Sequence, residues 1–371
     1  MEVLKRICVL LFFLFSCLYL GKVILEPDFP DFRAHYFGAE RVLYHQDPYA
    51  SDPRYFTNQA YPPFDFLITM PFLPFPYTIA AKLWIATSMI SLLVVCMILL
   101  RYFKQKVMSN ESLLLVSLAL IAFPTKFSFG MGQINVHLLL LLILAMIFVS
   151  NQRNAFAGLI LAFIYHIKFF PLLLLPLIAI KKNLYILGYT LFFGIVFFIF
   201  MFALGLGMDN FFFFTSLLPD LLTSWKADYY NQSITGVIAR GIQDTQVRNI
   251  VKLSSAFFMV GLTFLILQRN KSNKVNFLSM STIITLTLLV NTFSWQHHFI
   301  FLLPVFYTAY FLFKKHHLSL RYYLLLLVAY LLIAVNFAEP LRLSQLIQSH
   351  VFIGTLLLWL LQLHLILKKY D

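Results

Sequence analysis

Two residues near the N-terminus place a carboxylate and an imidazole at helical spacing. Asp31 follows Pro30, and His35 comes four residues later. Proline suits the first turn of a helix, and side chains four residues apart share one face, so we predict a short amphipathic helix over 30–43. The helix dipole favours an ionised acid at that end, where it can accept a proton. The alternative role for Asp31 is to cap the helix.

Lys168 is a cation in an otherwise apolar run, 155–180. A lysine at mid-membrane costs about 2.5 to 3.5 kcal/mol on insertion scales, so its presence needs a physical reason. One reason is an anionic partner such as a lipid phosphate. The other is that the long side chain reaches the outer interface and leaves its ammonium group in water.

The segment 130–135 interrupts an apolar stretch with two glycines and ends on two amides, Gln133 and Asn135. Irregular backbone at membrane depth is tolerated where it lines a cavity, which predicts a binding role for these amides. A plain hairpin turn is the alternative. Before it, Tyr61 leads into Pro62 and Pro63, and residues that precede proline avoid the helix, so we predict extended chain over 61–64.

Two later segments also carry polar groups between apolar runs. His297 and His298 can donate to a phosphate or take up a proton, whereas neighbouring histidines on a helix point apart and do not favour a metal pair. Asn231 and Gln232 offer amides of the kind that bind sugar hydroxyls, although Asn231 also begins a formal glycosylation sequon.

The elements that must position these residues are membrane helices. Of the 371 residues, 61% are hydrophobic and only 12% are charged, which excludes an ordinary soluble domain. The net charge of +13 comes largely from short cationic clusters at the ends of apolar runs, so it indicates membrane orientation and not nucleic-acid binding. The three cysteines lie inside apolar runs and are interpreted as packing residues.

The fold class is therefore predicted to be an all-α polytopic membrane protein of about twelve transmembrane helices. The apolar runs that define them are 7–25, 79–100, 112–127, 134–150, 154–165, 167–180, 184–207, 251–267, 275–292, 299–313, 320–336 and 351–367. The stretch 154–180 suits either one long helix or a hairpin. We prefer the hairpin, because a single helix would place Lys181 and Lys182 outside.

The positive-inside rule places the cationic clusters and both termini in the cytoplasm. Two long loops are then external, 26–77 and 208–250, with shorter external segments at 130–135, 166–168 and 294–298. The first long loop carries seven of the 15 acidic residues of the chain. The residues that could do chemistry are thus predicted to face one outward cavity.

Read in order, these pieces resemble glycosyltransferase family 87. The resemblance begins with Asp31-Phe32, Asp47-Pro48-Tyr49 and Tyr61-Pro62-Pro63-Phe64. It continues through Gly132-Gln133-Ile134-Asn135, Gly158, Lys168, Pro171, Asn231-Gln232-Ser233, Trp295 and His297-His298. It therefore covers most of the chain, and the ordered set, not any single motif, carries it.

The resemblance implies a single membrane glycosyltransferase domain over 1–371, of the C-type. Such enzymes are similar to the mycobacterial mannosyltransferase of phosphatidylinositol mannoside synthesis and take sugars from polyprenyl phosphate carriers. The expected reaction is inverting transfer of a hexose, with mannose preferred, or of a pentose, to a lipid or glycan acceptor on the outer face of a bacterial inner membrane. The expected partners are that donor, the acceptor and membrane lipids, without nucleic acid, metal or cofactor.

The resemblance also implies roles for the candidate residues. Asp31 is expected to be the general base, and Lys168 is expected to bind the donor phosphate. The remaining substrate-binding candidates are His35, Tyr61, Gln133, Asn135, Asn231, Gln232, His297 and His298.

A secondary transporter or a flippase for a lipid-linked sugar is the competing function. A transporter is expected to carry ionisable groups near the midplane and two matching halves with interrupted helices. Here the polar residues gather at one predicted face and no internal repeat is visible, which favours the enzyme.

Overall fold

The computed structural model describes residues 2–26, 28–56, 61–223, 226–269, 275–337 and 342–370. Across these ranges the regular structure is helical, apart from an isolated bridge between Asn231 and Trp295. The α-helices are α1 Glu2–Gly21, α2 Pro30–Leu43, α3 Pro63–Thr69, α4 Tyr77–Tyr102, α5 Asn110–Ile121, α6 Phe123–Met131, α7 Asn135–Ser150, α8 Asn154–Ile167, α9 Leu174–Ile180, α10 Leu184–Ala203, α11 Gly207–Phe212, α12 Leu218–Thr223, α13 Ile234–Gly241, α14 Thr245–Arg269, α15 Phe277–Val290, α16 Leu303–Lys315, α17 Leu320–Ala334, α18 Gln345–Gln348 and α19 His350–Leu367. The all-α membrane fold is confirmed.

Five of these helices are long and apolar enough to cross a membrane: α1 (extended to Leu25), α4, α10, α14 and α19. A sixth candidate is the pair α5 and α6, which bend by 52° at their junction. Four further apolar helices are shorter: α7, α8, α15 and α17. Every predicted apolar run overlaps a helix of the structure, whereas the count of twelve spans and their orientation remain predictions.

Helix α2 has the predicted amphipathic form. It begins with Pro30 at its N-terminus, and it buries Phe32, Tyr36 and Ala39 on one side. The residue before the helix, Phe29, provides the cap position, and no side chain caps the helix there. Asp31 is therefore not the capping residue, and the alternative role is excluded.

The chain around the proline pair departs from the prediction. Pro62 is extended, with φ −67° and ψ 155°, but α3 starts immediately afterwards at Pro63. The prediction of extended chain over 61–64 is wrong beyond Pro62. The physical reason is that proline restricts the residue before it, while its own fixed φ suits the first position of a helix.

The stretch 154–180 is not one continuous helix. Helix α8 ends at Ile167 and α9 begins at Leu174, with turns in the intervening residues. Pro171 lies in that break, where its missing N–H and fixed φ oppose helix continuation. Lys168 thus occupies irregular chain directly after a helix end.

The chain divides into two compact units. The first comprises 1–141, 166–168 and 198–219, and the second comprises 142–165, 169–197 and 220–371. In the first unit, α1 packs along α5, and α2 packs on α3. Helices α2 and α3 approach each other closely at Gly38. A β-carbon on this residue would lie 2.5 Å from the ring of Phe66.

The second unit is built around α15. Residues 277–289 of this helix are all buried, and the helix contacts α14, α16 and α19. A helix that is buried on every side is typical of the centre of a bundle, where no face meets lipid or water. Small residues assist this packing, since a β-carbon on Gly354 of α19 would lie 2.8 Å from Leu332.

Candidate functional site

Asp31 lies at the start of α2 and faces two polar side chains from distant parts of the chain. The Nε2 of Gln133 donates to Oδ2 of Asp31. The hydroxyl of Tyr61 lies 3.5 Å from the same Gln133 nitrogen and also hydrogen bonds to the Asp31 carboxylate. Gln133 and Tyr61 are almost fully buried, whereas Asp31 keeps part of its surface accessible. Asp31 is therefore the most accessible of these three residues.

Gly132 explains how the chain brings Gln133 to Asp31. Helix α6 ends at Met131, and Gly132 follows in the left-handed conformation with φ +70°. A β-carbon on Gly132 would lie 2.7 Å from the β-carbon of Phe32 and 2.8 Å from that of Phe29. The indole of Trp84 donates to the Gly132 carbonyl at 2.8 Å. This position requires glycine for both its φ and its contact with the start of α2.

Lys168 reaches the same cluster from the break after α8. Its Nζ donates to Oδ1 of Asn135 at 2.8 Å and to Oε1 of Gln133 at 3.5 Å. The ammonium group is therefore hydrogen bonded to side chains of the first unit. This differs from the alternative in which the long side chain leaves its ammonium group in water only. Asn135 is fully buried at the start of α7, while Lys168 is only half-buried.

The imidazole of His35 pairs with a carboxylate that the sequence did not single out. Nδ1 of His35 lies 2.9 Å from Oδ2 of Asp65, and both side chains are 1% exposed. This polar contact joins α2 to α3. The ring of His35 lies 4.0 Å from that of Tyr61, measured between centroids. Asp65 lies on α3, four residues after the candidate Tyr61. This closeness in sequence is the signal that could have identified Asp65 as a site residue.

Electrostatic effects at Asp31 oppose each other. Desolvation by the surrounding protein raises the pKa of the carboxyl group. His35, Gln133, Tyr61 and Lys168 all lower that pKa, the first and last by charge and the amide and hydroxyl by hydrogen bonding. Burial raises the pKa of Tyr61, so its hydroxyl keeps its proton and acts as a donor at neutral pH.

The first unit thus brings together six of the candidates predicted from sequence: Asp31, His35, Tyr61, Gln133, Asn135 and Lys168. These residues come from the first long loop, the α6–α7 junction and the break after α8. The arrangement holds a carboxylate at one end of the Gln133 amide and an ammonium group at the other. Such a pair can accept a proton and stabilise an anion within one site.

Asn231 and Gln232 belong to the second unit, and both are fully buried. Oδ1 of Asn231 accepts from Ser233 and from the Ser294 backbone, and its Nδ2 donates to the Thr292 carbonyl at 3.0 Å. Gln232 donates to the carbonyl of Gln348 at 2.7 Å. These amides already satisfy their hydrogen-bonding groups within the protein, which favours a structural role over contact with a sugar.

His297 and His298 also lie in the second unit, in a 3-10 turn over Gln296–Leu302. Their rings are 4.5 Å apart and meet edge to face, so the prediction that the two rings point apart is wrong. The pair lies in a 3-10 turn and not in the α-helix that the prediction assumed. The backbone N–H of Trp295 donates to Nδ1 of His298 at 3.2 Å, which leaves Nε2 of a neutral ring as the protonated nitrogen.

Comparison with known proteins identifies one family. The sequence model of glycosyltransferase family 87 matches residues 59–292. This range contains Tyr61, Gln133, Asn135 and Lys168 together with the Asn231-Gln232 pair, and it begins after Asp31 and ends before His297. No curated protein and no solved structure gives a significant match to the chain.

Proposed function

Because the chain belongs to glycosyltransferase family 87, we propose that it moves a sugar from a polyprenyl phosphate carrier to a lipid or glycan acceptor on the non-cytoplasmic side of the membrane. Family membership and the apolar helices make it a membrane glycosyltransferase. The carrier, the sugar, which we take to be a hexose such as mannose or else a pentose, and the side of the membrane are parts of the proposal.

The observation that carries the proposal is the position of the Gln133 amide. One end of this amide holds the Asp31 carboxylate, and the other end lies 3.5 Å from the Lys168 ammonium group. Transfer with inversion needs a base for the acceptor hydroxyl and a cation for the departing phosphate at the same sugar. The two groups required are thus present in one polar cluster.

The proposed step is a single displacement. Asp31 takes the proton of the acceptor hydroxyl while that oxygen forms a bond to the anomeric carbon. The bond from the anomeric carbon to the phosphate oxygen breaks, and the electron pair leaves with polyprenyl phosphate. The phosphate changes from a singly to a doubly charged anion, and Lys168 offsets the added charge in a partly desolvated site.

The environment of Asp31 suits a base. Desolvation raises its pKa and so makes the carboxylate a better proton acceptor than an exposed aspartate. Lys168 and Gln133 act in the opposite direction and lower the pKa of the same carboxyl group. His35 with Asp65, and the hydroxyl of Tyr61, are proposed to hold the acceptor side of the site in place.

The candidates of the second unit receive different proposed roles. His297 and His298 remain proposed donors to the phosphate or to the sugar. Asn231 and Gln232 are proposed to fix the fold of the second unit, because their hydrogen bonds are used within it. Their substitution is then expected to reduce stability and not substrate affinity alone.

The test uses purified protein in lipid nanodiscs with a radiolabelled polyprenyl phosphate mannose donor. We expect free polyprenyl phosphate and a labelled product only when an extracted lipid or glycan acceptor is added. A parallel donor charged with arabinose distinguishes hexose from pentose. If labelled donor crosses a vesicle bilayer unchanged and no polyprenyl phosphate is released, the protein moves lipid-linked sugars instead, and the proposal fails.

A further inference from the structure

The second unit contains an open cavity that no candidate catalytic residue lines. Its volume is about 700 Å³, within the range of small-molecule sites. It lies between the segment that precedes α13 and the first two turns of α14. The lining residues are Lys226, Ala227, Asp228, Thr235, Thr245, Arg248, Asn249 and Lys252.

The cavity has an excess of positive charge. It holds three cations, Lys226, Arg248 and Lys252, and one carboxylate, Asp228. Within the described ranges of the chain, none of the three cations forms an ion pair. The guanidinium group of Arg248 donates to Oγ1 of Thr245 at 2.9 Å and to the carbonyl of Gln243 at 3.4 Å, and both acceptors are neutral.

The two cations on α14 are an unfavourable arrangement in the absence of an anion. Arg248 and Lys252 are four residues apart and therefore neighbours on one helix face, where like charges repel. Asp228 offsets only part of this charge, and its Oδ1 already accepts the backbone N–H of Tyr230 at 2.7 Å. A bound anion would relieve the repulsion.

The same helix is a candidate membrane span whose first turns line the cavity. Helix α14 is 25 residues long and meets the length and hydropathy of a membrane span. Just beyond Lys252 its outward side is apolar, with Leu253 63% and Phe257 82% exposed. A cationic first part followed by exposed apolar side chains is typical of a helix that enters the bilayer from the head-group region. The sequence also predicts this end to be external, where the positive-inside rule does not call for cations.

We propose that this cavity binds the anionic, phosphate-bearing head group of a membrane lipid. Lys226, Arg248 and Lys252 would neutralise the phosphate, and the hydroxyls of Thr235 and Thr245 would hydrogen bond to its oxygens or to an attached polar group. The volume exceeds the needs of a bare phosphate ion, which favours a head group. The proposal concerns binding and does not depend on the sugar-transfer reaction.

The experiment measures binding of fluorescent short-chain phosphatidic acid to the purified full chain in detergent, with diacylglycerol of the same chains as the phosphate-free probe. We expect Arg248→Gln with Lys252→Gln to weaken binding of phosphatidic acid by about tenfold or more, as for loss of charge-assisted contacts. Diacylglycerol binding should not change. The matched control, Lys368→Gln with Lys369→Gln, removes the same charge from exposed positions and should bind as the wild type does.

A charge-preserving variant, Arg248→Lys with Lys252→Arg, separates charge from folding. Retained binding in this variant supports the proposal, and a loss as large as in the glutamine variant contradicts it. The proposal is also overturned if the glutamine variant binds phosphatidic acid like the wild type. If inorganic phosphate binds as tightly as the lipid and displaces it, the site recognises free phosphate and the lipid assignment is wrong.

Discussion

The carboxyl group of Asp31 lies where desolvation and hydrogen bonding oppose each other, and its neighbour along the chain offers a direct comparison. Asp28 pairs with Arg33 at 2.7 Å and accepts from Tyr77 at 2.8 Å, away from Gln133. We expect Asp31→Asn to lower turnover by about 10²- to 10⁴-fold, because the amide keeps the shape but cannot take the proton. Donor affinity should stay nearly constant, as measured by binding of the labelled carrier.

Asp28→Asn is the control for that experiment. It retains an oxygen acceptor for Arg33 and Tyr77, so turnover should remain close to the wild-type value. An inactive Asp28→Asn beside an active Asp31→Asn would mean that the base is misassigned. If both variants stay active, Asp65 is the next carboxylate to test, since it contacts His35 in the same unit.

Lys168 lowers the pKa of Asp31 through its charge, and it is also proposed to bind the donor phosphate. Lys168→Ala should weaken donor binding by about 10- to 100-fold, since a charge-assisted contact is worth about 1.5 to 3 kcal/mol. Lys168→Arg should keep part of this affinity. Lys182→Ala, at an exposed position of the second unit, is the control that should leave donor binding unchanged.

The same variant predicts a shift in pH dependence. Lys168 lowers the pKa of Asp31 through its charge, so without it that pKa rises further. Because the base must be ionised, the residual activity of Lys168→Ala should begin to fall at a higher pH than wild-type activity as the solution is acidified. An acid limb of the pH–rate profile that stays in place would show that Lys168 does not act on the base.

At the scale of elements, the junction between α6 and α7 fixes the site. Gly132 has φ +70° and no room for a β-carbon beside Phe32, while Gly130 is helical with nothing within 4 Å of the corresponding position. Gly132→Ala should therefore lower the thermal midpoint and activity together, since the left-handed conformation alone costs an L-residue about 1 to 2 kcal/mol. The control Gly130→Ala should change neither. Equal behaviour of both variants would show that the junction does not position Gln133.

In the second unit, hydrogen bonds between the start of α13 and the chain after α15 form a second connection, which is not part of the proposed catalytic cluster. Asn231, Ser233 and Thr292 connect the start of α13 to the chain after α15 through hydrogen bonds. A β-carbon on Gly236 would lie 2.1 Å from the Asn231 carbonyl oxygen, so the turn is closed tightly against the helix. The Asn231-Gln232-Ser233 run that resembles the family pattern is therefore proposed to stabilise the fold of this unit.

At the scale of the whole molecule, the orientation of the helices decides whether the chemistry faces outward. In a variant without Cys8, Cys17 and Cys96, a cysteine at exposed Gln243 should react with an impermeant thiol reagent on intact cells. A cysteine at exposed Lys182 should react only after the membrane is permeabilised. The positive-inside rule predicts this difference, because it places Lys182 in the cytoplasm and the loop that contains Gln243 outside.

The reverse labelling pattern would place the cationic clusters outside, and the proposed external reaction would fail with it. Labelling of both positions in intact cells would indicate that α10, which lies between them, does not cross the membrane. A single crossing by the stretch 154–180 would also reverse the pattern, but the break between α8 and α9 opposes it, because two short helices separated by turns can reverse direction.

The sequence by itself determined the helical class, the position of the long apolar helices and of α2, and most of the candidate residues of the first unit. These features depend on local signals. Apolar length, a proline in the first turn and a glycine after the last turn act within a few residues, so they can be recognised without knowing what packs nearby. The amphipathic helix α2 and the irregular backbone at 130–135 were predicted for this reason.

Only the tertiary structure decided which polar groups are free to act. Whether Asn231 binds a sugar or holds a turn depends on Thr292 and Ser294, which lie about sixty positions away along the chain. The approach of His35 to Asp65 likewise depends on how α2 packs on α3. A buried polar side chain must be hydrogen bonded, but its partner is chosen by the packing of helices and not by its own neighbours in sequence.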